Sequence, residues 1–313
     1  MIIDGHADIS GYLIRQKQQG RLSALEDDLL ADLQAGGITG VVNAVYLSED
    51  ELADPKKSAL AQIKEIKHQV ELSQRMELVT SAHQFEAAYK RDLIGLFLSL
   101  EGAEPIEQSS DLDLYYDQGV RFVGLTWNRA NRYSGGCDTP DIGLSDSGRE
   151  LLDRMSRKNM ILDLSHLSDV ATDQALAYYR GTVIASHSNA RSYADHVRNM
   201  TDDQLIKLAN RGGVVGLNAM SKFVSQNHAT KEDMRRQLDY MINLCGEDHV
   251  AFGFDFCDRL FPEADSKSFD VLDGHEQAFD FLDTLRLPDR IKDKLAWQNW
   301  LRIYETLNDK PSA

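Results

Sequence analysis

Eight short apolar segments alternate with helical patterns along nearly the whole chain, and this alternation constrains the fold more than any other feature. The segments are residues 2–8, 41–47, 93–101, 122–128, 160–166, 182–187, 214–218 and 250–256. Strands that alternate with helices, with no linker between the units, form a parallel sheet through right-handed crossovers. The pattern therefore predicts an α/β fold, a single (β/α)₈ TIM barrel that takes residues 1–313 as one domain.

The last of these segments supports a closed barrel. Ala251 and Gly253 share one strand face with Asp255, and the phenylalanines of residues 250–256 share the other. Small side chains suit the inside of a barrel, and bulky ones suit the layer under the outer helices. Capping-box patterns at Ser147 and Thr201 predict two helix starts, and residues 288–307 predict a final amphipathic helix.

Composition excludes several kinds of function. The formal charge is −16 and no basic stripe occurs, so binding to nucleic acid is not expected. The three cysteines are far apart in the sequence and form neither a disulfide framework nor a Cys-x-x-Cys metal motif. The first residues lack a basic region followed by an apolar run, and no apolar stretch is long enough to span a bilayer. We therefore expect no membrane contact and a cytoplasmic location.

Ligand-type side chains stand at the ends of five of the eight predicted strands. They are His6, Asp8, Glu101, His166, His187 and Asp255. Each alone is better explained as a hydrogen-bonding histidine or a helix-capping aspartate. In a TIM barrel, however, the carboxyl ends of all strands converge on one mouth, where active sites lie. Six such coincidences at one end favour a metal site.

The number of ligands favours two metal ions. Three histidines and two or three carboxylates exceed the four ligands of one tetrahedral zinc ion. Glu101 stands on its own strand between the two ligand groups and is the natural bridging ligand. Two ions that share a carboxylate and a water would activate that water for hydrolysis of a carbonyl or phosphoryl group.

The same residues resemble a known family. The motifs are Asp4-Gly5-His6-Ala7-Asp8, Glu101-Gly102-Ala103-Glu104, Leu125-Thr126-Trp127-Asn128, Leu162-Asp163-Leu164-Ser165-His166, Ser186-His187-Ser188-Asn189-Ala190 and Gly253-Phe254-Asp255-Phe256. In this order, and over nearly the whole chain, they resemble the membrane dipeptidase (renal dipeptidase, peptidase M19) family, and specifically its bacterial cytoplasmic branch. The resemblance implies a binuclear zinc barrel that hydrolyses dipeptides. A homodimer is also compatible with this resemblance.

The resemblance implies a role for each site residue. His6 and Asp8 would bind one zinc ion, His166 and His187 the other, and Glu101 would bridge them. Asp255 would lie beside the metals and bind the substrate amine or transfer protons. Arg198 would grip the substrate carboxylate, and Arg191 is a nearby competitor for that role.

Two positions depart from the family pattern. Mammalian members have a histidine over the scissile carbonyl where this chain has Trp127, so Asn128, Asn131 or the metal would stabilise the oxyanion instead. We expect Asn128 to contact the substrate. After Asp255 the family usually continues Phe-Asp-Gly, whereas this chain has Cys257 and Asp258. Cys257 is interpreted as buried filler.

Two other functions remain open on the residues alone. One is another metal amidohydrolase that acts on a cyclic amide, a lactone or a phosphoester. Those families typically have His-x-His on the first strand and often a lysine on the fourth, and this chain has His-x-Asp and Trp127-Asn128. The other is a barrel retained for binding or assembly, which is disfavoured because none of the six ligand-type residues is missing.

Overall fold

The computed structural model describes residues 1–226, 228–257 and 270–307. Its centre is a parallel sheet in the order β1-β2-β4-β5-β6-β7-β8-β9, with the short β3 paired to β4. The strands are β1 (Ile2–Ala7), β2 (Ile38–Val45), β3 (Met76–Leu78), β4 (Ile94–Glu101), β5 (Val120–Gly124), β6 (Ile161–Asp163), β7 (Val183–Ala185), β8 (Val214–Leu217) and β9 (Val250–Phe252). The eight strands of the main path form a nearly closed barrel with helices outside it, which confirms the predicted TIM barrel.

Helices follow most strands and cover the outside of the sheet. They are α1 (Ile9–Gln18), α2 (Leu30–Ala35), α3 (Pro55–Ser73), α4 (Ala82–Tyr89), α5 (Leu112–Asp117), α6 (Asp146–Arg157), α7 (Asp169–Tyr178), α8 (Asp202–Asn210), α9 (Ser221–Val224), α10 (Lys231–Cys245), α11 (Ala278–Thr284), α12 (Asp289–Asp293) and α13 (Asn299–Tyr304). Among the described helices, none combines the length and the apolar character needed to cross a bilayer.

The sheet divides the apolar residues into an inner and an outer cluster. The inner cluster takes one side chain from each strand of the barrel, namely Ile3, Val42, Phe97, Phe122, Ile161, Ile184, Val214 and Ala251. Trp300 and Tyr304 of α13 close the amino-terminal end of this cluster, and the Trp300 indole donates to the carbonyl of Phe252 at 2.8 Å. The phenylalanines at 252, 254 and 256 pack in the outer cluster, as their alternation predicted. The open end of the barrel is therefore the carboxyl end of its strands.

The seam between β1 and β9 is closed by a side chain. Within the described residues, no ladder joins these two strands. Instead, Asp4 Oδ1 accepts hydrogen bonds from the backbone N–H groups of Phe254 (2.9 Å) and His6 (3.2 Å). The Asp255 N–H also donates to the His6 carbonyl at 3.4 Å. The seam thus joins the strand that carries His6 to the segment that carries Asp255.

Two local predictions differ from the structure, and two elements were not predicted. The helix predicted to start at Ser147 begins earlier, because Ser145 is the N-cap and its side chain accepts from the Gly148 N–H. Helix α1 and strand β3 were not predicted at all. The predicted helix 288–307 is interrupted by a π-helical turn over Lys294–Gln298. The capping box at Thr201 is confirmed.

Candidate metal centre

All six ligand-type side chains lie together at the carboxyl ends of the strands. Four of them, Asp8, Glu101, His166 and Asp255, line a cavity of about 400 Å³ at this end of the barrel, and His6 and His187 are buried beside it. Within the described residues, three groups of three ligand atoms could hold a metal ion. Two of them are formed by the predicted ligands alone and share Glu101, and the third consists of His6, Asp163 and His187. The structure therefore brings together every residue that the sequence suggested as a ligand.

The first group consists of His6, Asp8 and Glu101. His6 Nε2 lies 3.9 Å from Asp8 Oδ1 and 3.5 Å from Glu101 Oε2. These three atoms are buried and have no hydrogen-bond partner in the described part of the chain. A buried polar atom without a partner is rare and destabilising. A divalent cation would satisfy all three atoms, and one imidazole with two carboxylates is a donor set that suits it.

The second group consists of Glu101, His166 and His187. The other carboxylate oxygen of Glu101, Oε1, lies 2.8 Å from His166 Nε2 and 3.7 Å from His187 Nε2. The two Nε2 atoms are 2.8 Å apart. Glu101 thus directs one oxygen atom at each group, which is the arrangement that a bridging carboxylate requires.

Hydrogen bonds on the far side of each ring orient the two histidines of the second group. His166 Nδ1 lies 2.7 Å from Asn128 Oδ1, and His187 Nδ1 lies 2.6 Å from Ser186 Oγ. Because Asn128 Oδ1 is an acceptor, His166 carries its proton on Nδ1 and directs an unprotonated Nε2 into the cavity. Such partners fix the ring and raise its basicity toward a metal.

Backbone strain marks two residues of the site. His166 has a φ of 70° and Asp255 a φ of 57°, both in the left-handed region that residues other than glycine rarely adopt. Strained residues of this kind persist where the surrounding structure holds them, and they cluster at functional sites. The strain at His166 and Asp255 therefore supports a functional role for this end of the barrel.

The electrostatics of the two histidine groups differ. Burial lowers the pKa of His166 to about 3, and the Arg198 guanidinium contributes to this shift. Burial also lowers the pKa of His187 well below its ordinary value. For His6, burial would lower the pKa, but Glu101 and the other nearby carboxylates outweigh it and raise the pKa to about 10. The first group thus attracts positive charge, and the second presents two neutral imidazoles.

Asp255 faces the first group from the end of the eighth strand of the barrel. Its Oδ1 lies 3.8 Å from His6 Nε2, and its Oδ2 accepts a hydrogen bond from Asn218 Nδ2 at 2.9 Å. Burial raises the pKa of Asp255 to about 6, with a further contribution from the charge of Glu101. A carboxyl group whose pKa is near neutrality can gain and lose a proton at working pH.

Arg198 is a buried cation at the wall of the cavity. Its Nη2 lies 3.1 Å from His166 Nε2 and 3.4 Å from the His187 carbonyl, and its side chain is in the cavity lining. Arg191, the competing candidate, instead forms a two-point ion pair with Asp169 at 2.6 and 2.8 Å. Of the two arginines, only Arg198 faces the ligand groups.

Comparison with known proteins identifies the family to which this chain belongs. The profile described as Membrane dipeptidase (Peptidase family M19) matches residues 1–311, almost the full chain. The chain belongs to the membrane dipeptidase family. The resemblance inferred from the motifs is therefore confirmed.

Individual relatives agree with this membership. A protein of Klebsiella pneumoniae, described as uncharacterized and located in the pqqA 5′ region, is 32% identical over 246 residues, which cover 74% of this chain and 89% of that protein. An uncharacterized dipeptidase of Schizosaccharomyces pombe is 30% identical over 286 residues, 82% of this chain and 68% of that protein. A metallo peptidase from Rhodobacter sphaeroides, whose structure contains a phosphinate mimic of the dipeptide L-Ala-D-Ala, superposes with a TM-score of 0.85 at 25% identity. That match covers 97% of this chain and 98% of the other.

The positions that depart from the membrane dipeptidase pattern have distinct environments. Trp127 and Asn128 both line the cavity. Asn131 does not, because its Nδ2 donates to Glu104 Oε1 (2.8 Å) and to the Leu125 carbonyl (2.7 Å). Asn131 therefore holds its own loop and is removed from the candidates for an oxyanion donor.

The rim after Asp255 is described only in part. Cys257 lines the cavity, and burial raises the pKa of its thiol well above the ordinary value, so the thiolate is disfavoured. The interpretation of Cys257 as buried filler was wrong in part, because its side chain is only partly buried and faces the cavity. Asp258, the other departure, lies outside the described residues.

Sequence reasoning missed residues that hold the ligands in place. Asp163 Oδ1 accepts from the backbone N–H groups of Ser165 (3.0 Å) and Ser186 (2.9 Å), the residues just before His166 and His187. Asp163 lies within the motif of residues 162–166, and this position next to His166 is a signal in the sequence for such a supporting role.

A second missed pair supports the first metal group. His275 Nε2 lies 2.7 Å from Asp4 Oδ2, and Asp4 Oδ1 holds the seam that joins His6 to Asp255. No pattern within the sequence connects Asp4 to His275, because 271 positions separate them. Only the folded structure could reveal this pair.

Proposed function

We propose that the protein is a zinc dipeptidase with two metal ions per chain, bridged by Glu101. The observation that carries this proposal is the position of Glu101, whose two carboxylate oxygens face different ligand groups. Imidazole and carboxylate ligands suit Zn²⁺, although other divalent ions accept the same donors. Membership of the membrane dipeptidase family supports metal-dependent hydrolysis of dipeptides.

In this proposal, His6 and Asp8 hold one ion, His166 and His187 hold the other, and Glu101 is shared. When bound, two such ions supply an activated water molecule and a Lewis acid for the scissile carbonyl group. The fit of two ions rests on the three buried atoms of the first group, which have no hydrogen-bond partner among the described residues, and on the two convergent Nε2 atoms of the second.

Asp255 is the proposed proton-transfer group. Asn218 fixes its Oδ2, so Oδ1 faces the ligand groups from a fixed direction. In its ionised form, Asp255 can bind the substrate ammonium group and accept a proton from the attacking water. In its protonated form, it can donate that proton to the leaving amine.

Arg198 is the proposed binding site for the substrate's terminal carboxylate. A guanidinium group can hold a carboxylate through two parallel hydrogen bonds. The cavity lining offers both signs of charge, because it includes carboxylates such as those of Asp8 and Asp255 and the guanidinium group of Arg198. A dipeptide has an ammonium group at one end and a carboxylate at the other, whereas a cyclic amide or a lactone lacks this pair of charges.

For Asn128 we propose a smaller role in substrate binding than the sequence alone suggested. Its Oδ1 is already engaged by His166 Nδ1 (2.7 Å) and by the Cys137 thiol (3.0 Å). We propose that Asn128 contacts the substrate only through its Nδ2 and orients His166 through its Oδ1. The cytoplasmic location, the single domain and the homodimer stay predictions.

A panel of alanine peptides tests the proposed function. Zinc-loaded protein should hydrolyse dialanine and should discriminate against its C-terminal amide by about a hundredfold in kcat/KM, because an unpaired buried guanidinium is unfavourable. Trialanine should also be a poor substrate. Arg198→Lys should reduce the difference in kcat/KM between free and amidated dialanine. Arg191→Lys, the matched control outside the cavity, should keep the wild-type difference. Equal cleavage of free and amidated dialanine by the wild-type protein would contradict the carboxylate-binding role.

A further inference from the structure

One wall of the cavity carries three nitrogen-bearing side chains around a single aromatic ring. The ring is that of Phe223, a buried residue of α9. The Arg198 guanidinium carbon lies 5.5 Å from the ring centroid, the Lys222 ammonium 5.0 Å, and the His196 ring centroid 4.7 Å. All four residues line the cavity. The wall thus presents more positive charge than one terminal carboxylate needs.

Neither cation on this wall forms an ion pair within the part of the chain that the structure describes. In residues 1–226, 228–257 and 270–307, the ion pairs include none formed by Arg198 or Lys222. Asp138 also lines the cavity, but it forms no ion pair with either cation in these ranges. Lys222 is exposed and Arg198 is buried, so Lys222 stands nearer the mouth of the cavity.

His196 adds a hydrogen-bond donor beside the same Phe223 ring. Its Nδ1 accepts a hydrogen bond from the Arg198 backbone N–H at 3.1 Å, which leaves Nε2 protonated in the neutral ring. Burial lowers the pKa of His196, and the charges of Lys222 and Arg198 lower it further. The neutral form, with a donor at Nε2, is therefore favoured next to the two cations.

We propose that Lys222 and His196 form a subsite for an acidic side chain on the C-terminal residue of the dipeptide. The inference rests on the proposed function, in which Arg198 binds the terminal carboxylate. A C-terminal glutamate or aspartate carries its second carboxylate on the same residue, close to the first. Phe223 and the neighbouring Met220 provide apolar surface for the methylene groups of such a side chain. The substrate class is thus Xaa-Glu and Xaa-Asp dipeptides.

Matched substrates isolate the charge of that side chain. Ala-Glu and Ala-Gln have nearly the same size and differ by one negative charge. We expect zinc-loaded wild-type protein to favour Ala-Glu over Ala-Gln by on the order of fivefold in kcat/KM at low salt, the scale of one partly exposed ion pair. The preference should appear in KM more than in kcat, because the contact is made equally in the ground state and the transition state. It should shrink as ionic strength rises.

Variants of Lys222 separate charge from structure. Lys222→Gln should bring the Ala-Glu to Ala-Gln ratio close to one, and Lys222→Arg, which keeps the charge, should retain most of the preference. Lys64→Gln, on the exposed side of α3, is the matched control and should leave the ratio unchanged. If the wild-type protein hydrolysed Ala-Glu and Ala-Gln with equal kcat/KM, or if Lys222→Gln kept the wild-type preference, the proposed subsite would be wrong. Either result would leave the proposal of dipeptide hydrolysis unaffected. If zinc-loaded protein hydrolysed no dipeptide at all, the proposed function would fail and the subsite with it.

Discussion

The Nε2 atoms of His166 and His187 lie 2.8 Å apart, and the Nδ1 atom of each ring faces an oxygen atom on its other side. With His166 protonated on Nδ1, its Nε2 offers a lone pair that points toward its neighbour. Burial keeps both rings neutral, since it lowers the pKa of each. This arrangement is suited to a shared cation, and in the proposed centre with two ions Glu101 would bridge it to the second.

Glu101→Gln tests the bridging ligand. The amide keeps the size of the side chain but cannot supply two anionic oxygens, so we expect the variant to hold at most one zinc ion per chain and to lose nearly all activity. Elemental analysis after gel filtration measures the bound metal. Glu104→Gln is the matched control, because Glu104 lies three residues away and belongs to neither ligand group. A Glu101→Gln variant that retained two ions would contradict the bridging role.

Asp255→Asn tests the assignment of proton transfer. The variant should retain both ions, because Asp255 belongs to neither of the two groups, and should lose about 10²–10⁴-fold in kcat, the usual contribution of a general acid or base. Parallel metal analysis and steady-state kinetics on one preparation provide the measurement. Loss of metal in proportion to activity would instead identify Asp255 as a required ligand.

His275→Leu tests the support of the first metal group. His275 binds Asp4, and Asp4 holds the backbone that carries His6 next to the segment of Asp255. Loss of such outer partners typically lowers metal affinity about 10–100-fold. Competition with a chelator should therefore reveal weaker zinc binding in His275→Leu, and His275→Gln, which keeps a donor, should recover part of it. Unchanged zinc affinity in His275→Leu would show that Asp4 needs no support from His275.

Glu65→Gln tests how the unpredicted helix α1 is attached to α3. Glu65 accepts hydrogen bonds from Lys17 of α1 and, at 2.9 Å, from Gln69 Nε2. Burial would raise the pKa of Glu65, but these two donors outweigh it and lower the pKa below its ordinary value. Its stabilising contribution is therefore full above the unfolded-state pKa and is lost as pH falls through the folded-state pKa.

We expect Glu65→Gln to lower the free energy of unfolding by about 1 kcal/mol at pH 7, because Lys17 is half exposed and solvent screens the pair. The difference between wild type and variant should vanish at low pH. Urea unfolding of metal-free protein at several pH values measures it without interference from metal release. A difference that stayed constant down to pH 3 would exclude the ionised carboxylate as its source.

The sequence predicted the barrel and the gathering of the candidate ligands at one end of it, because both depend on short-range patterns. Apolar segments and the polar residue at the end of each are visible in consecutive residues, and the rule for parallel strands brings those ends together. Helix α1 was missed because its stability comes from distant partners. Ser10 of α1 is buried and bonds to Asn43 and Gln62, which lie 33 and 52 positions away. Periodicity of apolar residues cannot reveal a helix whose buried face is partly polar.

The contacts of Asn128 with His166 and of His275 with Asp4 could not be predicted, because they too join residues that are far apart in the sequence. An asparagine beside an active site can bind the substrate or orient a ligand, and only coordinates show its Oδ1 at 2.7 Å from His166 Nδ1. His275 carries no motif, and its partner Asp4 lies at the other end of the chain. Contacts between side chains far apart in sequence depend on the whole fold, so local patterns do not contain them.

Zinc titration of metal-free wild-type protein, followed by dipeptide hydrolysis at each step, tests the central claim most directly. The two-ion account predicts that kcat/KM for dialanine rises until two zinc ions are bound per chain and then stays constant, and that the chelated protein is inactive. Full activity at one ion per chain, or fully loaded protein that hydrolyses no dipeptide, would contradict it.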